Sequence, residues 1–210
     1  VDTDRATTIS GLFAAGDAAG GCPQKYVTGA LAEGEIAALS ALRYISENAP
    51  TPIPEAEIKA HISETESFLG EDKSVYSAEQ LEEAMQTAMD AYAGGIKTNY
   101  RFNEKQLDIA DMKIRRIEKL SDTLHAEDFQ ELMYIYELRE RLTVCRSVIA
   151  HLKARHETRW HCFAENLDYP EKDDKNWRKY VNSRLENGEI KIILRELTEE
   201  GQRVYEHSHK

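Results

Sequence analysis

The hydrophobic pattern is helical over most of this chain. From Ser77 onward, Leu81, Ala84, Met85, Ala88 and Tyr92 recur at three- and four-residue intervals and mark one face of a helix. Ser77 and Gln80 have the spacing of a capping box at its start, and Gly94-Gly95 ends or bends it. Asn103 and Gln106 repeat the start signal, and Leu107, Ala110, Ile114, Ile117 and Leu124 form a second stripe. A third helix is predicted from Glu127 or Asp128, with Phe129, Leu132, Met133, Tyr136, Cys145, Ile149 and Leu152 on its apolar face. Short connections make the three helices antiparallel neighbours, hence a three-helix bundle. The methionines and aromatics in these stripes are read as core.

The flanks follow other patterns. Thr7-Thr8-Ile9-Ser10-Gly11-Leu12-Phe13-Ala14-Ala15-Gly16-Asp17 is a short apolar run bounded by glycines, which predicts a strand buried on both faces and ending in an acid. Ala18-Ala19-Gly20-Gly21-Cys22-Pro23 then reads as a flexible loop. Thr28 or Gly29 opens a helix with Leu31, Ile36, Leu39, Leu42 and Ile45 in its stripe, and Glu33 and Glu35 in its first turns complement the helix dipole. Asn48 to Pro54 holds three of the chain's five prolines and is read as a linker. A short helix from about Glu55 to Leu69 follows, stopped by Gly70. Residues 156–187 carry no sustained period. Asn187-Gly188 is a turn signal, and the alternation of Ile190, Ile192 and Leu194 predicts a strand from Glu189 to Leu197. The resulting expectation is a mainly α (α+β) chain: a strand–loop–helix unit over residues 1–48, a proline-rich linker and short helix over 49–75, and a helical domain with an irregular or β tail over 76–210.

Composition narrows the function classes. A net charge of −11 argues against nucleic-acid binding, which needs a basic face. No apolar run approaches the roughly 18 residues that would span a bilayer. The three cysteines, Cys22, Cys145 and Cys162, form no CxxC pair and no zinc spacing, and an odd count fits a reducing compartment. An acid at the end of a buried strand predicts that the chain begins inside a nucleotide-binding domain, and a first residue of Val1, not Met, predicts a natural N-terminus further upstream.

The candidate chemistry lies at the end of the first apolar run. A carboxylate at Asp17 can accept hydrogen bonds from sugar or ribitol hydroxyls, and Gly16 admits a ligand where a Cβ would collide. The bland alternative is an N-cap or turn aspartate. The helix start at Thr28, Gly29, Ala30 and Leu31 offers unpaired backbone N–H groups, which stabilise negative charge.

Thr7, then Gly11-Leu12-Phe13-Ala14-Ala15-Gly16-Asp17, resembles the second FAD-binding fingerprint of flavoproteins with two dinucleotide folds, whose acid binds the flavin ribitol. Lys25-Tyr26-Val27-Thr28-Gly29-Ala30-Leu31-Ala32-Glu33 is similar to the stretch that follows this acid in succinate dehydrogenase and fumarate reductase flavoproteins. Glu157-Thr158-Arg159-Trp160 and Asp168-Tyr169-Pro170-Glu171-Lys172-Asp173-Asp174-Lys175-Asn176-Trp177 resemble a C-terminal signature of the same superfamily. The threonine in the first of these, and the Gln24-Lys25 pair after Pro23, lean toward the adenylylsulfate-reductase-like branch.

The resemblance implies FAD as cofactor in the full-length protein, with Gly16, Asp17, Thr28, Gly29, Ala30 and Leu31 contacting it. It implies that Lys25 and Gln24 face the substrate. Lys25 stands where the dicarboxylate enzymes carry an arginine, keeping the charge but losing the bidentate fork; a surface lysine is the bland alternative. Gln24 stands where adenylylsulfate reductases carry a histidine. An iron–sulfur, ferredoxin-like subunit is the implied electron partner, and a small molecule the substrate. The implied location is cytoplasmic, with membrane association only through partner subunits. Arg159 and the Asp173-Asp174 pair are expected to form an ion network at a packing corner or subunit contact, and His156 and His161 are read as outside the flavin site. The Gly-x-Gly-x-x-Gly turn that holds a dinucleotide pyrophosphate is not in this sequence. The chain by itself is therefore expected to be inactive and to lack FAD. The alternative from a different class is a non-enzymatic helical subunit-interaction module.

Overall fold

The computed structural model describes residues 1–19, 26–52, 54–70, 74–159, 161 and 164–197. Its contacts divide the chain into two compact units, Val1–Lys59 and Ala60–Lys210.

The second unit is built on three helices: α3 (Ala78–Tyr92), α4 (Glu104–Ser121) and α5 (Phe129–Ala154). All three have side-chain caps. Ser77 and Asn103 each close a capping box, with Gln80 and Gln106, and the Asp128 carboxylate accepts from the backbone N–H groups of Gln130 and Glu131. The helix starts therefore fall where the sequence signals put them. Gly94, in the left-handed region, follows the end of α3, and a Cβ on Gly95 would lie 2.4 Å from the Cα of Asp90. The chain can double back there only because both residues are glycine.

Ion pairs across the bundle fix its direction. Asp108 and Glu118 of α4 meet Lys153 and Arg146 of α5, so these helices run antiparallel. Lys113 of α4 sits over the ring of Tyr92 at the end of α3. The seam holds Leu81, Met85 and Ala88 from α3, Leu107, Ala110, Ile114 and Ile117 from α4, and Leu132, Ile135, Leu138, Leu142 and Ile149 from α5.

Two aromatic or sulfur positions expected in the core are not there. Phe129 is 77% exposed and Met133 52%. The buried positions of α5 recur as Leu132, Ile135, Leu138 and Leu142, and Phe129 and Met133 lie off that line. Tyr136 is half-buried, with its hydroxyl 2.9 Å from the Thr65 hydroxyl. Burial raises the thiol pKa of half-buried Cys145.

A β-hairpin of β3 (Lys179–Glu186) and β4 (Glu189–Glu196) packs on α5. Asn187 and Gly188 both take positive φ, the geometry of a two-residue hairpin turn. The strand over Glu189–Glu196 agrees with expectation. Its partner β3 was hidden because Lys-Tyr-Val-Asn-Ser-Arg-Leu-Glu has no apolar alternation. Arg146, buried on α5, reaches the turn: Nη2 donates to the Gly188 carbonyl at 2.6 Å and Nη1 to Glu118 at 3.0 Å. Arg115 forks onto both oxygens of Glu189, and that hydrogen bonding holds Glu189 below the usual carboxylate range. A second, minimal sheet pairs β1 (Arg101–Phe102) in parallel with β2 (Glu165–Asn166).

In the first unit, α1 (Val27–Glu47) is a 21-residue helix. Its buried residues are Glu33 and Ser40, while Leu31, Leu39, Leu42 and Ile45 are all more than half exposed. The predicted strand before it is instead a tight turn closed by an Ala6–Phe13 bridge, with Thr7 N–H donating to the Leu12 carbonyl at 2.9 Å. Ile9 and Leu12 are exposed. A central strand needs neighbours on both sides, and the described residues supply none, so the segment bonds to itself. α2 (Glu55–Ser67) spans the boundary between the units. Among the described residues no helix is long and apolar enough to cross a membrane.

Leu142, fully buried, and Phe129, 77% exposed, make a paired test of this core. Leu142→Ala is expected to destabilise the chain by about 2–5 kcal/mol. Phe129→Ala is expected to stay within about 0.5 kcal/mol. Urea unfolding followed by far-UV circular dichroism reads both.

Candidate functional site

The first site lies in the amino-terminal unit. Gly16–Ala18 forms a single 3-10 turn, with Gly16 buried and left-handed at φ 63°. A Cβ on Gly16 would lie 3.1 Å from the Cβ of Ala30 in the first turn of α1. Glycine is thus required by its backbone and by the helix beneath it. The same contact explains why position 30 is small. It also sets the exposed Asp17 beside the start of α1.

Polar residues of α1 hold the turn segment down. The Gly16 N–H donates to Glu33 Oε2 at 2.8 Å, and Arg5 Nη2 lies 3.3 Å from Glu33 Oε1. Arg5 is itself left-handed at φ 64°, and its carbonyl accepts from the Ala14 N–H at 3.0 Å. Further along, the Tyr44 hydroxyl pairs with Ser10 at 2.8 Å, Phe13 meets the Tyr44 ring edge-on, and Arg43 pairs with Asp4.

The start of α1 is open. Tyr26 occupies its N-cap with no side-chain hydrogen bond, and the first turn carries no acid. The first N–H to find a backbone partner is that of Ala30, bonded to Tyr26. The N–H groups of Val27, Thr28 and Gly29 precede it, have no partner among the described residues, and can serve an anion or carbonyl oxygen.

Six of the expected site residues are therefore together: Gly16 and Asp17 on the turn, and Thr28, Gly29, Ala30 and Leu31 on the opening turn of α1. Lys25 and Gln24 lie outside the described residues, as does Cys22. Sequence reasoning missed the brace of Glu33 and Arg5. Glu33 was read as a dipole-complementing acid, yet it is the buried anchor of the turn. The one available signal was that α1 carries Glu33 and Ser40 seven residues apart, a polar line that a solvent-facing helix would not need to bury.

The second candidate cluster is a buried-charge corner in the helical unit. The Glu157 side chain is completely buried. Its Oε1 accepts from Arg155 at 2.7 Å and Arg159 at 2.8 Å, and its Oε2 from Arg159 at 3.0 Å and the Asp173 N–H at 2.9 Å. Thr158 Oγ1 donates to the Tyr169 carbonyl and accepts from the Asn166 N–H. Arg159 also pairs with Asp174, as expected. Asp173 instead caps the short helix α6 (Asp174–Trp177), and its hydrogen bonds to Asn176 hold it below the usual carboxylate range. His156 is stacked on Tyr169 at 4.5 Å with Trp177 beside it, a packing position. Asp168 accepts from the Glu104 N–H, tying the corner to α4. These contacts hold loops in place. Trp160 and Cys162 lie outside the described residues, and among the described residues no group of His, Cys, Asp and Glu is arranged to hold a metal.

Residues 82–206 match the protein family described as fumarate reductase flavoprotein C-term. The α subunit of adenylylsulfate reductase from Megalodesulfovibrio gigas is 26% identical over 197 residues, which cover 87% of this chain and 30% of that protein. The structure of adenylylsulfate reductase from the hyperthermophile Archaeoglobus fulgidus superposes with a TM-score of 0.84 at 32% identity, over 93% of this chain and 33% of that one. E. coli quinol fumarate reductase superposes with a TM-score of 0.78 at 18% identity, over 93% of this chain and 35% of that one, which shows a common fold. This chain spans about a third of the length of these relatives.

Glu157→Ala leaves two arginines facing a buried void. It is expected to cost about 3–5 kcal/mol, whereas Asp174→Ala, at the exposed edge of the same network, is expected to cost under about 1 kcal/mol. Chemical denaturation of both variants checks the difference.

Proposed function

The chain belongs to the fumarate reductase flavoprotein C-terminal family, and we propose that it is the C-terminal portion of a longer FAD-dependent oxidoreductase subunit. The observation that carries this reading is the left-handed Gly16 turn, which sets an exposed carboxylate against the uncapped start of a 21-residue helix.

The residues fit the flavin's requirements. The Asp17 carboxylate would accept hydrogen bonds from ribitol hydroxyls, which its ionisation would strengthen. Thr28, Gly29, Ala30 and Leu31 form the helix end toward the pyrimidine edge. The backbone N–H groups of Thr28 and Gly29, ahead of the first bonded N–H at Ala30, and the helix dipole would stabilise negative charge there. Ala30 has no side-chain donor and its N–H is already bonded to Tyr26, so its contribution is its small size beneath Gly16. When bound, FAD supplies two-electron hydride chemistry at its N5 position. Lys25 and Gln24, between the acid and the helix, would meet the substrate, Lys25 as a point charge for an anionic group.

The exposed stripe of α1 supports the same reading. Leu31, Leu39, Leu42 and Ile45 are the side of this helix that the remainder of a flavin domain would cover. The helical unit, with its buried-charge corner, would form the domain that follows it. Electrons would pass singly to an iron–sulfur, ferredoxin-like subunit, and any attachment to a membrane would be through such partners.

Two measurements test the proposal. The 210-residue chain alone, titrated with FAD and followed by flavin fluorescence, is expected to show no submicromolar binding; such binding would overturn the view that it is a partial site. Protein purified from the native open reading frame is expected to carry flavin absorption, and Asp17→Ala to lower its FAD content about tenfold. A colourless native protein sinks the flavin assignment.

A further inference from the structure

We infer that Glu33 is the residue that positions the flavin-facing turn, with Arg5 as its counter-ion; this rests on the reading of Gly16-Asp17 as the flavin contact. Glu33 is an acid in the body of a helix, yet it is only 7% exposed, while the apolar stripe of the same helix faces outward. A buried carboxylate is retained only where its charge and lone pairs are matched. Here each oxygen has one partner, and both partners lie on the segment that carries Asp17: the Gly16 N–H at 2.8 Å and the Arg5 guanidinium at 3.3 Å.

The geometry makes the contact directional. Gly16 is buried against Ala30, one helical turn before Glu33, so the two contacts fix both the position and the orientation of the Ala15–Gly16 peptide. Asp17 is the next residue, and the direction of that peptide sets where its carboxylate emerges. Arg5 braces the same point twice: its guanidinium pairs with Glu33, and its carbonyl accepts from Ala14, two residues before Gly16. Without Glu33, the Gly16 N–H would be buried with no acceptor and the half-buried Arg5 would lose its counter-charge, so the turn would rotate to find other partners. Glu33 has no need to touch the flavin; it acts through Asp17.

The test compares Glu33→Ala, Glu33→Gln and Asp17→Ala. In the 210-residue chain, NMR-detected exchange of the Gly16 amide proton is expected to accelerate about tenfold in Glu33→Ala, the cost of one lost hydrogen bond to a charged acceptor. It is expected to stay within about threefold of the parent in Glu33→Gln, whose side-chain carbonyl still accepts. In protein made from the native open reading frame, FAD content is expected to fall about tenfold in Glu33→Ala, as in Asp17→Ala, and to be largely rescued in Glu33→Gln, with the melting of the helical unit unchanged. Unchanged Gly16 exchange, or a Glu33→Ala protein that keeps its full FAD content while Asp17→Ala loses it, overturns the inference and leaves the flavin reading standing. FAD content unchanged in both Ala variants overturns the flavin reading and the inference with it.

Discussion

Leu81, Met85 and Ala88 on one helix, Leu107, Ala110, Ile114 and Ile117 on the next, and Leu132, Ile135, Leu138, Leu142 and Ile149 on the third share a single apolar seam, and the helical unit depends on it. None of the three helices could bury its stripe alone. Once they interlock, the carboxyl half of α5 presents a fixed surface, and the hairpin and the loop corner are assembled on it. The seam runs through most of the segment that matches the flavoprotein family, so what the family shares here is first a packing solution.

Both units then use the same device to fix irregular segments. Arg146 is 6% exposed and grips the Gly188 carbonyl of the hairpin turn. Glu157, at 4%, receives two arginines and the Asp173 N–H, and Glu33, at 7%, receives the Gly16 N–H and Arg5. In each case a buried ion on or beside a helix bonds to the backbone of a loop. A hydrophobic side chain could fill the same volume but could not orient a peptide group. The penalty for burying a charge makes such contacts intolerant of slippage, because a loop that moves leaves the ion unmatched.

The family match and the amino-terminal turn lie in different parts of the chain. The family match covers residues 82–206, whereas the turn lies before residue 20. The proposal that the turn meets a flavin rests on Gly16, Asp17 and the open end of α1. The fit of the helical unit rests on the match and on superposition with adenylylsulfate reductase. An outward-facing apolar stripe on α1 joins the two arguments, since it is the surface expected of a helix that belongs in a larger domain.

Much of the fold was legible in the residues. Helix starts were readable because capping is local: Ser77, Asn103 and Asp128 bond to N–H groups two or three residues away, so their spacing alone announces them. The strand over Glu189–Glu196 and its turn were readable for the same reason, being set by alternation and by Asn187-Gly188. Gly16 and Asp17 stood out because a glycine before an acid at the end of an apolar run is a local pattern too. What the sequence could not express was any feature fixed by a partner distant along the chain. Phe129 and Met133 were left outside because the line of contact on α5 follows Leu132, Ile135, Leu138 and Leu142. Residues 7–15 closed on themselves because the described chain gave them no neighbouring strand. Glu33 became an anchor because Gly16 lies 17 positions earlier in sequence and one hydrogen bond away in space. Sequence by itself determined the elements whose hydrogen bonds are short-range and the buried faces of α3 and α4; tertiary structure alone decided the buried face of α1 and the exact line on α5, because burial depends on what arrives from elsewhere in the chain.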